Sequence, residues 1–201
     1  MTCIDAPEIL IDTGKSKLLQ YTNFIDNDKL VEYTESSMQL PLITKPEIRV
    51  FGKVCHQQRN VGFFAMPGVP GYKYSGQQAT VIDIRNHTFL QDIMSNVNNL
   101  LDSQFNGILV NLYEDGNCYI SSHSDDEAGL SNVGVASIGM GAIRTFRIRD
   151  KKTNTIIKDI KHTPGSLLIM EGDFQSECKH EIPIEKKVKN ARVSLTFRMH
   201  K

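Results

Sequence analysis

The chain has 201 residues, and its 23 lysine and arginine residues balance 23 aspartate and glutamate residues, so the formal net charge at pH 7 is zero. This balance excludes a strong overall field for nucleic acid or a membrane surface, and a polyanion must therefore be bound by a local patch. No apolar run is long enough to cross a bilayer, and the four cysteines lack the spacing of zinc or redox pairs. We expect an intracellular protein of the nucleus or cytoplasm with free thiols and no membrane partner.

The N-terminal part of the chain gives mixed signals. Residues 1–20 show little periodicity and predict a poorly ordered or wrapping arm. Residues 27–39 predict a short helix with Asp26 as its N-cap, and residues 48–54 give the first strand pattern. Residues 59–76 combine aromatic rings with glycines and prolines, which predicts irregular loops or short hairpins that present those rings.

One helix is strongly indicated between residues 86 and 105. Its apolar side chains recur at helical spacing through the sequence NHTFLQDIMSNVNNLLDSQF. Thr88 and Gln91 have the spacing of a capping box at its start.

From Gly107 onward the pattern changes to short alternating or β-branched runs separated by Gly, Asp, Asn or Pro. We count eight such runs: ILVNLY, CYISSH, GVASIGM, RTFRIRD, TIIKDIKH, GSLLIM, ECKHEIPI and RVSLTFRM. Because no helical pattern interrupts them, they predict a mainly β fold, either a sandwich or a double-sheet jelly roll.

The second of these runs ends in an unusual group, HSDDE, at residues 123–127. Residues two apart in a strand project from the same face, so His123 and Asp125 can reach one point in space. Two imidazoles and one carboxylate form the facial set that binds Fe(II), although zinc is also chemically possible. The alternative is a solvated turn. A third ligand must come from elsewhere, and the remaining histidines are His56, His87, His162, His180 and His200.

Two arginines lie six residues apart on the last predicted strand. Arg192 and Arg198 therefore share one face, and a pair of buried arginines fits a dicarboxylate well. The alternative is an edge strand whose apolar residues face inward and whose arginines are solvated.

Taken together, these pieces resemble the AlkB family of Fe(II)- and 2-oxoglutarate-dependent dioxygenases. The matching pieces follow the order of the family: N-x-Y at 111–113, HSDDE at 123–127, ASIGMGAIRTFRIR at 136–149, GSLLIMEG at 165–172, His180, and RVSLTFR at 192–198. A weaker match, RNVGFF and YKYSG, extends the resemblance back to Arg59.

The resemblance implies a role for each matching residue. His123, Asp125 and His180 correspond to the iron ligands, which also makes them the catalytic residues. The residues implied for the cosubstrate 2-oxoglutarate are Asn111, Tyr113, Arg192, Ser194, Thr196 and Arg198. The chain departs from the family at Ser194, where an asparagine is usual, so the contact with the cosubstrate there is expected to be weaker or rearranged.

The substrate side of the site is implied by the weaker match. Tyr74 corresponds to the aromatic residue that stacks on a flipped nucleobase, opposite His123. The other residues implied for substrate are Arg59, Phe64, Ser75, Asp126 and Glu127. The two acids would face a cationic alkylated base, whereas the alternative is that they are loop residues in solvent and that Tyr74 is a core or hinge tyrosine.

The resemblance implies a single dioxygenase domain over residues 1–201, with N-terminal helices and a nucleotide-recognition lid in 1–105 and a jelly-roll core, the double-stranded β-helix, in 106–201. The implied activity is oxidative demethylation of bases such as 1-methyladenine and 3-methylcytosine in DNA, a direct-reversal repair that consumes O2 and releases formaldehyde. RNA, a protein or a small molecule are alternative substrates, and a jelly-roll binding module without turnover is the alternative to an enzyme. We expect a monomer.

Overall fold

The computed structural model describes residues 5–50, 52–71, 73–74, 77–78, 80–126 and 134–201. Its N-terminal elements are β1 (Glu8–Asp12), β2 (Ser16–Tyr21), α1 (Asn27–Met38), β3 (Glu47–Val50), β4 (Lys53–His56), β5 (Asn60–Ala65), β6 (Lys73–Tyr74), β7 (Gln77–Gln78), β8 (Val81–Asp83), a 3-10 turn (Ile84–Asn86) and α2 (Thr88–Leu101). The remaining elements are β9 (Gly107–Tyr113), β10 (Ile120–His123), β11 (Val135–Gly141), β12 (Arg144–Asp150), β13 (Ile156–His162), β14 (Leu167–Gly172), α3 (Phe174–Glu177), β15 (Cys178–Ile182) and β16 (Arg192–Arg198).

The strands form two large sheets. The major sheet has eight strands in the order β1-β2-β14-β11-β16-β9-β5-β8, and the minor sheet has four in the order β10-β15-β12-β13. One apolar cluster lies between the sheets, where Leu168 and Met170 of the major sheet meet Phe146, Ile148 and other residues of the minor sheet. This arrangement is the jelly roll that the sequence predicts, and all eight C-terminal strands are confirmed.

The outer face of the major sheet is covered by the two long helices. Tyr33 of α1 and Leu90, Ile93 and Val97 of α2 are buried in a second cluster with apolar residues of β9, β11 and β16. The predicted helices at 27–39 and 86–105 are thus confirmed as α1 and α2. The capping box is wrong, because His87 is the N-cap of α2 and the side chain of Gln91 donates to the Arg85 carbonyl instead.

Strand β16 shows how one sequence serves both layers. Val193, Leu195 and Phe197 face the helices, and the alternate residues face the space between the sheets. Arg192 and Arg198 on this second face are 1% and 3% exposed. The alternative of solvated arginines is therefore excluded, since both sides of the strand are covered.

The N-terminal part is more ordered, and more strand-rich, than the sequence predicts. The arm predicted for residues 1–20 is wrong over its described part: β1 and β2 form a hairpin, and β2 pairs with β14. Residues 48–54 do not form one strand, because β3 and β4 make a separate hairpin. Part of the predicted loop region 59–76 is the fully buried strand β5, which pairs with β9, while β6 and β7 do form a short hairpin.

These pairings link the predicted lid to the core. Residues 1–105 supply β1, β2, β5 and β8, which are four of the eight strands of the major sheet. The interior of the sheet thus depends on both halves of the chain, and the boundary at residue 105 does not separate independent layers.

The N-terminal hairpin should contribute directly to stability. Leu18 is fully buried between the sheets and pairs with Met170, so Leu18→Ala should lower the free energy of unfolding by about 2–5 kcal/mol through lost burial and a residual cavity. The neighbouring Lys17, which is exposed, provides the control, and Lys17→Ala should change it by less than about 0.5 kcal/mol. Urea unfolding of both variants measures the change in the free energy of unfolding, and equal changes would contradict the pairing of β2 with β14.

Candidate metal and cosubstrate site

The two histidines of the predicted metal site are brought together by strand pairing. His123, the last residue of β10, is the cross-strand partner of His180 in the antiparallel strand β15. Their ring centroids are 4.3 Å apart, and the ring of Phe146 stacks on His180 at 5.2 Å. Residues directly opposite in an antiparallel pair project from the same face, so both imidazoles enter the space between the sheets.

Asp125 follows β10 and completes the group. One ligand atom of each of His123, Asp125 and His180 lies within 4.8 Å of the other two. Nε2 of His123 is 3.7 Å from Oδ1 of Asp125, and Nε2 of His180 is 3.8 Å from Oδ2. The sequence thus predicts correctly which residues meet, and the third histidine is His180.

The donor set fits a divalent cation. Nδ1 of His123 donates to the Ser121 carbonyl at 2.9 Å in the tautomer that leaves a lone pair on Nε2. The side chain of Asp125 is fully buried, and its Oδ2 has no hydrogen-bond partner within the described residues. A buried carboxylate oxygen facing imidazole nitrogens is costly unless a cation lies between them. Two imidazoles and one carboxylate are the set that holds Fe(II).

The charges around the ligands keep them ready to bind a metal. Burial, together with the nearby His180, lowers the pKa of His123 to about 3, so its imidazole is neutral at pH 7. Burial alone would raise the pKa of Asp125, but Arg198 and the two imidazoles outweigh it and hold that pKa well below its usual range. Nη2 of Arg198 donates to Oδ1 of Asp125. A neutral imidazole and an ionised carboxylate are the forms that bind metal.

The loop that carries Asp125 is held from the opposite side. The backbone N–H of Asp125 donates to the side-chain oxygen of Gln175 at 2.8 Å, and the Ser124 hydroxyl donates to the Cys178 carbonyl at 2.8 Å. Both contacts join the loop to the α3–β15 segment, which also carries His180. Asp125 and His180 are therefore supported by the same stretch of chain, a link that the sequence did not reveal.

The ligands open onto a pocket between the two sheets. The residues predicted from the sequence that line it are Arg59, Asn111, Tyr113, His123, Asp125, His180, Ser194, Thr196 and Arg198. Lining residues that the sequence analysis missed are Leu109, Ile120, Ser137, Phe146, Met170 and Ile182. Of these, Ser137 had a visible signal, since it is a polar residue within an otherwise apolar strand.

Ser194, the position at which the chain departs from the family it resembles, lies on the wall of the pocket. It pairs with Asn111 across β9 and β16, and its hydroxyl is 3.3 Å from that of Ser137 on β11. Two hydroxyls and one amide are therefore next to each other on the pocket wall.

Arg59 lies deeper than a lid residue would. Its side chain is 4% exposed, and its Nε donates to Oδ1 of Asn111 at 2.7 Å. It therefore contributes a positive charge to the same wall as the residues predicted for the cosubstrate.

Arg192 is not among the residues that line the pocket, but its Cζ lies 5.6 Å from the ring centroid of Tyr113, which does line it. Its Nη2 is 3.0 Å from Nδ1 of His162, whereas its buried Nε and Nη1 have no hydrogen-bond partner within the described ranges. Burial lowers its pKa to about 10, so it still carries its charge at pH 7. Such a cation is stabilised by an anion that enters the site.

Some predicted substrate residues are elsewhere. Phe64 is wrong for this role: it is fully buried on the helix side of β5, with its ring edge-on to His87 at 5.1 Å. Asp126 is directed away from the pocket, where it accepts from Lys151 at 2.7 Å and its side chain is 58% exposed.

The remaining substrate predictions are not decided by the structure. The backbone of Tyr74 lies in β6, but its side chain is outside the described part, as are Ser75 and Glu127 entirely.

Comparison with known families matches residues 17–198 to the 2OG-Fe(II) oxygenase superfamily. The chain is 30% identical over 180 residues to "DNA oxidative demethylase ALKBH2" of Arabidopsis thaliana, covering 78% of this chain and 57% of that protein. It is also 30% identical over 180 residues to the protein of that name from Mus musculus, covering 85% and 74%. The chain thus spans little more than half of the plant relative.

One further relative supports the same placement, and one solved structure supports the fold. The human "Alpha-ketoglutarate-dependent dioxygenase alkB homolog 3" is 35% identical over 121 residues, which are 56% of this chain and 42% of that protein. Among solved structures, "The structure of OsALKBH1" has a TM-score of 0.59 at 15% identity and covers 90% of this chain and 97% of that one. At this identity the likeness concerns the fold alone. None of the helices in the described residues is long and apolar enough to span a membrane.

The buried histidines should make the metal-free protein sensitive to acid. The pKa values of His123 and His162 are lowered to about 3, so both stay neutral in the folded state while the unfolded chain takes up protons below about pH 6.5. Stability is therefore present above pH 6.5 and lost as pH falls, by about 2 kcal/mol per histidine at pH 5.

Urea unfolding at pH 7 and pH 5 checks this loss. The variant His162→Gln should reduce the difference between the two pH values by about 2 kcal/mol, and His56→Gln, which replaces an exposed histidine, should leave it unchanged. An unchanged difference in His162→Gln would contradict the neutral, buried state of His162.

Proposed function

The chain belongs to the AlkB family of the 2OG-Fe(II) oxygenase superfamily, and we propose that it demethylates alkylated bases of nucleic acid by oxidation, with DNA as its substrate. The observation that carries the proposal is the pocket itself, where His123, Asp125 and His180 meet beside two buried arginines of β16. A binding module without turnover has no need of a buried metal set next to an anion site.

We assign His123, Asp125 and His180 as the residues that hold Fe(II). When bound, the iron supplies, with 2-oxoglutarate and O2, the oxidation of a methyl C–H bond. The protein residues do three things around it. The two imidazoles stay neutral and keep lone pairs available, Arg198 keeps Asp125 ionised, and the apolar residues Ile120, Phe146 and Ile182 limit the access of water.

We assign the part of the site formed by β9 and β16, with its buried arginines, to 2-oxoglutarate. Arg192 would pair with its distal carboxylate, supported by Asn111 and Tyr113, while Arg198, which donates to Asp125, would lie near its other carboxylate. Ser194 and Thr196 line the same pocket. The buried charge of Arg192 and its unpartnered Nε and Nη1, within the described ranges, support this assignment. Guanidinium pairs with a carboxylate in two parallel hydrogen bonds, which also fixes the orientation of the cosubstrate.

The choice of an alkylated base rests on the relatives that are called DNA oxidative demethylases and on the resemblance of YKYSG to the substrate segment of the family. The β6–β7 hairpin carries Tyr74, which would stack on a flipped base, and Arg59 would contact the substrate or cosubstrate from the pocket wall. Hydroxylation of an N-methyl group gives a hemiaminal, which releases formaldehyde and restores the base. We propose 1-methyladenine and 3-methylcytosine as substrates, with the protein acting as a monomer in the nucleus or cytoplasm.

Formaldehyde release tests the proposed activity. The purified protein with Fe(II), ascorbate and 2-oxoglutarate should release formaldehyde from oligonucleotides that contain 1-methyladenine or 3-methylcytosine. His123→Ala should lower this turnover by at least about a thousandfold, because it removes a metal ligand. Asp126→Asn, which alters a surface carboxylate paired with Lys151, should retain turnover and is the matched control.

The same assay separates the alternatives. Parallel arms use single-stranded DNA, duplex DNA and RNA with the same lesion. Turnover on RNA alone would replace DNA by RNA as the substrate. Iron binding without turnover in any arm would refute the demethylase.

The role assigned to Arg192 predicts a specific kinetic defect. Arg192→Ala removes an anion partner but no metal ligand, so it should raise the KM for 2-oxoglutarate by at least about thirtyfold, in line with a loss of about 2–5 kcal/mol for a buried charge pair. Arg85→Ala, which breaks a surface pair with Asp83, should leave this KM unchanged. Equal KM values in the two variants would show that Arg192 does not bind the cosubstrate.

A further inference from the structure

We propose that His162 is a positioning residue for the cosubstrate, which orients the guanidinium of Arg192 so that its remaining N–H groups meet the distal carboxylate of 2-oxoglutarate. This inference rests on the proposed role of Arg192. It adds a residue that belongs neither to the described metal set nor to the described pocket lining, and this residue should determine which acids the site accepts.

The hydrogen bonds of His162 define which nitrogen accepts. Nε2 of His162 lies 3.1 Å from the Ser166 carbonyl, and Nδ1 lies 3.0 Å from Nη2 of Arg192. A carbonyl only accepts and a guanidinium only donates. The ring must therefore carry its proton on Nε2 and offer the Nδ1 lone pair to Arg192, so both ends of the imidazole are assigned.

The neutral state of this ring is consistent with that assignment. His162 is 1% exposed, and burial, followed by the charge of Arg192, lowers its pKa to about 3. A protonated ring would have no lone pair for Arg192 and would repel it. The imidazole therefore acts as a fixed neutral acceptor over the physiological pH range.

The surrounding strands pack closely against the side chains of His162 and Arg192. Gly139 of β11 lies against it, and a Cβ there would be 3.2 Å from Cε1 of His162 and 3.3 Å from Nη2 of Arg192. The Phe146 ring meets His162 edge-on at 6.0 Å, and Tyr113 lies over the guanidinium. A glycine at this position is consistent with the close approach of two large side chains.

The contact leaves a defined set of donors for the ligand. Nη2 donates one of its two hydrogens to His162, which leaves its second hydrogen and the N–H groups of Nη1 and Nε for the ligand. Nη1 and Nε are both buried without a hydrogen-bond partner in the described part of the chain. A guanidinium held in one orientation loses less freedom when it pairs with a carboxylate. His162 should therefore favour acids with a second carboxylate at the distance of Arg192.

Two substitutions separate orientation from packing. His162→Asn places a carbonyl oxygen near the position of Nδ1 and keeps the acceptor, whereas His162→Leu fills the space without one. Calorimetric titration of the Fe(II)-loaded protein with 2-oxoglutarate, without O2, should show at least about tenfold weaker binding for His162→Leu. His162→Asn should remain within about threefold of the wild type, which is about 0.65 kcal/mol.

Oxalate is the second probe, because it binds a metal through two carboxylates and has no distal group for Arg192. Its affinity should be the same in the wild type and both variants. Loss of oxalate binding in His162→Leu would indicate general damage to the site, and unchanged binding of 2-oxoglutarate would show that Arg192 needs no acceptor. Either result overturns the proposal, as would equal losses in the Asn and Leu variants.

A double variant distinguishes this inference from the proposed activity. In the Arg192→Ala background, His162→Leu should cause no further loss of 2-oxoglutarate affinity, because it acts through Arg192. An additional loss would overturn the positioning role. These titrations use no nucleic acid. Their outcome therefore does not depend on whether the protein releases formaldehyde in the demethylation assay.

Discussion

The buried ion pair between Arg198 and Asp125 is the interaction on which the site depends. Arg198 is on the major sheet, and Asp125 follows a strand of the minor sheet, so the pair joins the two layers where the ligands meet. Burying both charges is costly, and the attraction between them offsets this cost only if further contacts satisfy the remaining atoms. The second carboxylate oxygen is directed towards His180. A metal ion there would complete the set of partners, which links the stability of this region to metal binding.

The rest of the site follows from strand alternation. On β9 and β16 the apolar residues face the helices, and the polar residues between them, Asn111, Ser194 and Thr196, face the pocket. One antiparallel pairing places Asn111 opposite Ser194, and another places His123 opposite His180. A shift of one residue in the β9–β16 register would send the polar side chains into the apolar layer, and a shift in the β10–β15 register would turn a histidine away from the pocket. The helices α1 and α2 therefore support the chemistry indirectly, because their contact with the outer face keeps the register of the central strands.

Local spacing predicted the C-terminal strands and the pair of His123 and Asp125, whereas only the resemblance to the AlkB family identified His180 as the third ligand. The predictions were wrong where contacts between residues far apart in the sequence determine the structure. The N-terminal hairpin has weak periodicity, and its burial comes from pairing with β14, about 150 residues away in sequence. The match of RNVGFF to the family implies a substrate role for Phe64, but alternation along β5 turns its side chain towards the helices. The contact between His162 and Arg192 joins two different sheets, so no spacing within either strand could reveal it.

Charge also determines how the components of the site depend on one another. Two cations, Arg59 and Arg198, line the pocket, and Arg192 lies against the lining residue Tyr113. Asp125 is the single carboxylate among the described lining residues. A divalent metal adds to this positive excess, and a dicarboxylate reduces it, so the metal and the cosubstrate should each favour the binding of the other.

The same excess of positive charge disfavours a cationic base deep in the pocket. Asp126 does not offset it, because Lys151 already pairs with that carboxylate at the surface. Of two adjacent acids that look equivalent in sequence, one is therefore directed to the metal site and the other to solvent, and a positively charged base must be stabilised mainly by contacts in front of the pocket.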